Sequence, residues 1–196
     1  GISSEFAICL FAICSFALCD VVSPMPKLPW FDRTFSFDFP VETYPDVVER
    51  FRGTPARIED KVRGLSRDTL TRSDGGWSIQ ENIGHLIELD AIFDGRIEDY
   101  IAGLPELRPA DITNKATHEG QYNLRDISQL LKMFRARRER AVNRLGSLTD
   151  ADFARVSIHP RLKTSMRLID AIAFVCAHDD YHLARMTELV KKFGGV

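Results

Sequence analysis

From about residue 45 onward, apolar positions recur three, four or seven apart, the spacing of helices that bury one face. Thr54-Pro55 reads as an N-cap followed by proline at the first helical position. With Ile58, Val62 and Leu65 continuing the stripe, a first helical region covers roughly 45 to 65 with a break at Gly53. Gly75-Gly76 turns the chain, Ser78-Ile79-Gln80-Glu81 is a capping box, and Ile79, Ile83, Leu86, Phe93, Ile97 and Ile101 predict a second helix over about 79 to 101. A loop of prolines and polar residues follows from Gly103 to about Asn123. Ile127, Leu130, Leu131, Phe134, Val142 and Leu145 predict a third helix over about 126 to 145. Beyond a Thr149-x-x-Asp152 cap signal and an irregular stretch with Pro160, Ser165 is the expected cap of a fourth helix over about 166 to 192. Strand alternation is nearly absent, so the expected fold is all-α, an antiparallel four-helix bundle with one long crossover connection.

The N-terminal pattern is of another kind. Phe6 to Cys19 is an apolar run interrupted by Ser15 alone, shorter than the roughly 20 residues a bilayer-spanning helix needs. Residues 1 to 24 hold no Lys or Arg, so the positive end of a secretory signal is missing. Composition changes at Met25, where MPKLPWFDRTFSFDFP has the look of an arm leading into a domain. The expected organisation is a non-native leader or uncleaved signal-like segment over 1–24, and a single domain over 25–196 that starts natively at Met25. Cys9, Cys14 and Cys19 lie in the leader and Cys176 stands alone in the domain, which suits a reducing cytoplasm. Export is the alternative if the leader is a real signal.

The 196 residues, 44% apolar and 28% charged, have the composition of a globular domain of ordinary size. A net charge of -2 leaves no basic surplus for phosphate backbones, so neither nucleic acid nor a membrane is an expected partner. Lys132, Arg135, Arg137, Arg138 and Arg140 crowd the third helix and are read as a solvated face paired with neighbouring acids.

The chemistry rests on histidines. On the fourth helix Ala171, Val175, His178, His182, Met186 and Leu189 form an inward stripe that places two imidazoles one turn apart on a buried face. Such a pair is either hydrogen-bonded core or two ligands aimed at one ion. His85, one and a half turns into the second helix, stands near the same end of the bundle and favours the second reading. Trp77-Ser78-x-x-Glu81-x-x-x-His85, followed by His178-Asp179-Asp180-Tyr181-His182, resembles the DinB/YfiT-like superfamily of four-helix-bundle metalloproteins. The likeness runs from Met25 to the end in length and helix order.

That resemblance implies that His85, His178 and His182 bind one divalent metal ion, commonly nickel or zinc. It also implies a metal-dependent enzyme of thiol-transferase or hydrolase type. Its partner would be a small-molecule substrate, with a low-molecular-weight thiol as co-substrate in the transferase case, and a homodimer is one expected assembly. The alternative is a non-catalytic metal-binding module for stress response or interaction. Three neutral imidazoles leave an ion its full charge and at least one open position, the pattern of catalytic sites. Asp179 and Asp180 are candidates to orient ligand rings as outer acceptors. Glu81 is a weak candidate for a general base, since its capping role already accounts for it. His118 reads as a surface histidine of the long loop, Tyr181 and Met186 as core, and Cys176 as a small core residue pointing away from the ligand face.

Overall fold

The computed structural model describes residues 28–194, so the expectations for 1–24 and for a start at Met25 lie outside the described residues. The chain divides into two compact units, Gly1–Arg33 and Thr34–Val196. The described part of the first carries a single 3-10 turn, Trp30–Asp32.

The second unit is helical, with helices α1 (Tyr44–Arg52), α2 (Thr54–Val62), α3 (Arg67–Thr71), α4 (Ile79–Ile101), α5 (Lys115–Glu119), α6 (Ile127–Leu145) and α7 (Asp150–Phe153). A hairpin of β1 (Val156–Ile158) and β2 (Ser165–Arg167) then leads into the last helix, α8 (Leu168–Phe193). Helix α4 packs against α6 and α8, and α1 and α2 pack against the same two helices. The broken helix α1–α2 and α4 therefore stand on opposite corners of a four-helix bundle. Adjacency of α4 and α8 is what the site requires, because the two histidine-bearing helices must face each other. Ile58, Ile83, Leu86, Leu130, Phe134 and Met186 fill the core between the four, each burial worth about 2 kcal/mol.

Helix ends follow local chemistry. Ser78 Oγ accepts from Glu81 N at 3.1 Å while Ser78 N donates to Glu81 Oε2 at 2.8 Å, the expected reciprocal cap of α4. Asp126 Oδ1 accepts from Ser128 N and Gln129 N to start α6. Other ends differ from expectation. Thr54 is the first residue of α2 rather than its cap, and its hydroxyl donates instead to Asp179 Oδ2 at 2.8 Å. Ser165 lies in β2, and α8 begins after Arg167, whose backbone N–H donates to Asp170 Oδ2 at 2.7 Å.

The hairpin pairs Val156 with Arg167, Ser157 with Met166 and Ile158 with Ser165. Ile158 also exchanges backbone bonds with Pro105 and Leu107, so the long connection after α4 is pinned to the hairpin edge. That connection is not all loop, since it folds α5 and a 3-10 turn at Tyr122–Leu124.

The basic run of α6 is divided by its surroundings. Lys132 and Arg140 are exposed and Arg135 pairs with Glu59 at 2.6 Å, as a solvated face should. Arg138 does not belong to that face: it is 1% exposed and bridges Asp90 at 2.8 Å and Asp179 at 2.7 Å. A guanidinium in the core is held there by two carboxylates and by the Phe51 carbonyl, so α1, α4, α6 and α8 meet on one charge. Among the described residues no helix is long and apolar enough to cross a membrane.

Candidate metal centre

Helices α4 and α8 bring His85, His178 and His182 together, with one ring nitrogen of each within 4.8 Å of the others. All three are less than a tenth exposed. His178 and His182 are one turn apart on α8, and their Nε2 atoms stand 3.1 Å from each other. Two imidazole nitrogens bound tetrahedrally at about 2.05 Å from one ion would be roughly 3.3 Å apart, so the pair is already spaced as ligands are.

Outer contacts hold two of the three rings. Asn82 Oδ1 lies 2.7 Å from His182 Nδ1. The Asn82 amide cannot be reversed, because its Nδ2 donates to the Ser78 carbonyl at 2.7 Å and the Trp77 carbonyl at 3.2 Å. His182 therefore carries its proton on Nδ1 and turns an Nε2 lone pair toward His178. Thr117 Oγ1, delivered by α5, lies 3.1 Å from His85 Nδ1 and orients that ring likewise. Trp77 covers the group, its ring 4.6 Å from that of His85 and 6.1 Å from that of His182.

Burial keeps His85 and His178 neutral. It pushes the His85 pKa down to about 3, with His178 and His118 adding to the effect. It does the same for His178, also to about 3, helped by the Arg161 charge. Neutral imidazoles are the protonation state an ion needs, and nitrogen donors of this kind fit divalent zinc, nickel, copper or iron.

The remaining candidates fall elsewhere. Asp179 Oδ2 is engaged by Thr54 and Arg138, and Asp180 pairs with Arg50 and Arg57. Asn82 and Thr117 stand at ring nitrogens of His182 and His85, while both aspartates are held in ion pairs with arginines. Glu81 is spent in the α4 cap. His118 is exposed on α5 rather than on an irregular loop, with its ring 5.7 Å from Trp77. Tyr181 is half-buried, edge-on to His182 at 5.3 Å, and Met186 is fully buried. Cys176 is buried, and burial pushes its thiol up to about 12, as fits a core residue.

A helical bundle with three buried histidines converging from two facing helices defines a class of candidate metalloprotein. Residues 50–186 match the DinB superfamily, and the chain belongs to it. The chain is 28% identical over 157 residues to YfiT of Bacillus subtilis, whose given name proposes a metal-dependent hydrolase; the match spans 75% of this chain and 84% of that protein. The solved YfiT structure, described as an unusual four-helix bundle, superposes with a TM-score of 0.72 at 23% identity, covering 83% of this chain and 94% of that one. A mycothiol-dependent maleylpyruvate isomerase shares the fold at a TM-score of 0.60 and 10% identity, over 76% of this chain and 61% of that one.

Proposed function

We propose that the protein is a metal-dependent enzyme of hydrolase type, in which His85, His178 and His182 hold one divalent ion, zinc or nickel, that meets a small-molecule substrate. The observation that carries the reading is the convergence of three buried imidazole nitrogens, two of them 3.1 Å apart, with the His182 tautomer set by Asn82 and the His85 ring held by Thr117. An ion bound there would act as a Lewis acid and would lower the pKa of water. The chain's own part is to hold the rings neutral and aligned, and to screen them from solvent with Trp77. The name borne by YfiT supports hydrolysis over transfer to a thiol. The fold shared with the mycothiol-dependent isomerase keeps the thiol-dependent reaction as the second enzymatic reading to be tested.

Metal analysis of protein purified without nickel chromatography is the direct test. A stoichiometric divalent ion is expected in the wild type, lost in the His85→Ala, His178→Ala, His182→Ala triple variant. A turnover screen on small esters, amides and electrophiles, with and without added thiols, then separates the reactions. Turnover without thiol that disappears in His182→Ala supports hydrolysis. Strict thiol dependence replaces that reading with a transferase, and a metal-loaded protein without turnover returns the non-catalytic module.

A further inference from the structure

A second group of buried polar side chains stands where the β1–β2 hairpin meets α4. Arg96 on α4 and His159, directly after β1, are 9% and 3% exposed. Arg96 Nη1 lies 3.2 Å from His159 Nε2, and its Nε donates to the Arg108 carbonyl at 3.0 Å. At the other edge of the same ring, the backbone N–H groups of Arg161 and Leu162 are directed at His159 Nδ1, at 3.3 and 3.2 Å.

Donors therefore face both nitrogens of one imidazole. A neutral ring has one acceptor nitrogen and one N–H, so one of its edges opposes a donor in either tautomer. With two amides directed at Nδ1, the proton belongs on Nε2, where it confronts the Arg96 guanidinium. Among the described residues, the hydrogen-bond partners of Arg96 are a carbonyl and an imidazole, which bring no negative charge to balance it. Asp99 is close enough to be felt, but both its carboxylate oxygens accept from Arg108. Burial holds His159 down to about 4, with Arg96 and Arg161 pressing in the same direction. Among the described residues, no negatively charged acceptor is hydrogen-bonded to Arg96 or to the His159 ring.

The cluster is close to the histidine centre. His159 packs edge-on against Phe174 with ring centroids 5.1 Å apart, and the Arg161 guanidinium lies 5.6 Å from the same ring. Phe174 stands four residues before His178 on α8, one turn away on the same face. Pro160, Arg161 and Leu162 are only half-buried, which leaves the hairpin side of the cluster toward solvent.

We propose that Arg96, His159 and Arg161 form an oxyanion-binding subsite one helical turn from the three-histidine centre, which takes a carboxylate or phosphate group of the small molecule that the centre acts on. An oxyanion accepts from both His159 Nε2–H and Arg96 Nη1–H, converting two opposed donors into two charge-assisted hydrogen bonds. The assignment of the anion to the centre's substrate rests on the metal-dependent reading above; the subsite itself does not.

The test is calorimetric titration of metal-free protein with inorganic phosphate and, separately, with malonate, at fixed ionic strength. Saturable binding of one ion per chain is expected, and the better of the two anions identifies the group. Affinity should fall about tenfold or more in Arg96→Gln and in Arg161→Gln, and stay unchanged in Arg185→Gln, whose guanidinium pairs with Asp74. Arg161→Gln alters a half-buried loop side chain and keeps the test alive if Arg96→Gln fails to fold. The His159 Nε2 nitrogen resonance should shift on anion addition, which a purely structural ring would not show. No saturable binding of either anion, or equal affinity in wild type and both variants, overturns the proposal. Because the titration uses metal-free protein, it stands or falls separately from the metal analysis.

Discussion

Asn82 Oδ1 accepts from His182 Nδ1 at 2.7 Å, and this one hydrogen bond leaves the His182 Nε2 lone pair turned toward His178. Replacing Asn82 with Ala frees the ring to rotate and to change tautomer. Zinc affinity is expected to fall about 10- to 100-fold, the usual cost of losing an outer partner of a ligand histidine. Thr117→Val should weaken binding through His85 in the same way. Competition with a chromogenic chelator reads both. Unchanged affinity in both variants would mean that packing alone aligns the rings.

The sequence shows the parts of the site that are local and hides the parts that are not. The α4 cap lies within four residues, Ser78 to Glu81, and the start of the helix at Ile79 follows from it, while the apolar stripe carries the helix on to Ile101. His178 and His182 are legible because a helix of period 3.6 fixes their relation. Asn82 and Thr117 carry no such signal: their partners stand 100 and 32 residues away, so their role appears only when α8 and α5 dock on α4. The strands of the hairpin have three residues each, too few for alternation to register, and the hairpin displaces the expected cap at Ser165. Arg138 is one of five basic residues in a run on α6, and only the buried carboxylates of two other helices set it apart.

Arg138 is the residue whose loss should cost most outside the histidine centre. Arg138→Met leaves Asp90 and Asp179 buried without their shared cation, and a broken buried pair costs about 3–5 kcal/mol. Urea unfolding should show a lower midpoint with an unchanged slope. The combined Asp90→Leu, Arg138→Met, Asp179→Leu variant should recover most of the loss, since it removes the charges together. If the single variant unfolds like wild type, the charge network contributes nothing to stability.

Gly84 offers a case in which local propensity and packing disagree. Alanine in a helix is favoured over glycine by about 1 kcal/mol. At Gly84, however, a Cβ would lie 2.3 Å from the Tyr122 ring. That ring is fixed by its hydroxyl on Glu88 at 2.5 Å and by Gln80 on its carbonyl at 2.6 Å. Overpacking of this kind costs about 1–3 kcal/mol, so Gly84→Ala is expected to lower the melting temperature. Adding Tyr122→Leu should restore part of it. A melting temperature above wild type in Gly84→Ala would show that the ring gives way freely.

Acid should destabilise the metal-free protein as pH falls below the ordinary histidine pKa. An unfolded imidazole takes up its proton near pH 6.5, whereas burial holds His159 down to about 4 and His85 and His178 to about 3. Between those limits the unfolded chain binds more protons, so this stability is complete above about pH 6.5 and is lost as pH falls toward 3. Asp90 works the other way: burial raises it to about 6, so its contribution fades as pH rises from about 4 to 6 and offsets one of the three histidines. The net is up to about two protons, or about 2.7 kcal/mol per pH unit between pH 4 and 6. Urea midpoints measured at intervals from pH 6 to 4 should trace that slope, and His159→Gln should reduce it by about one proton. An undiminished slope in His159→Gln would mean that His159 is already charged in the folded protein, with its Nε2–H and Nδ1–H both directed at acceptors rather than donors.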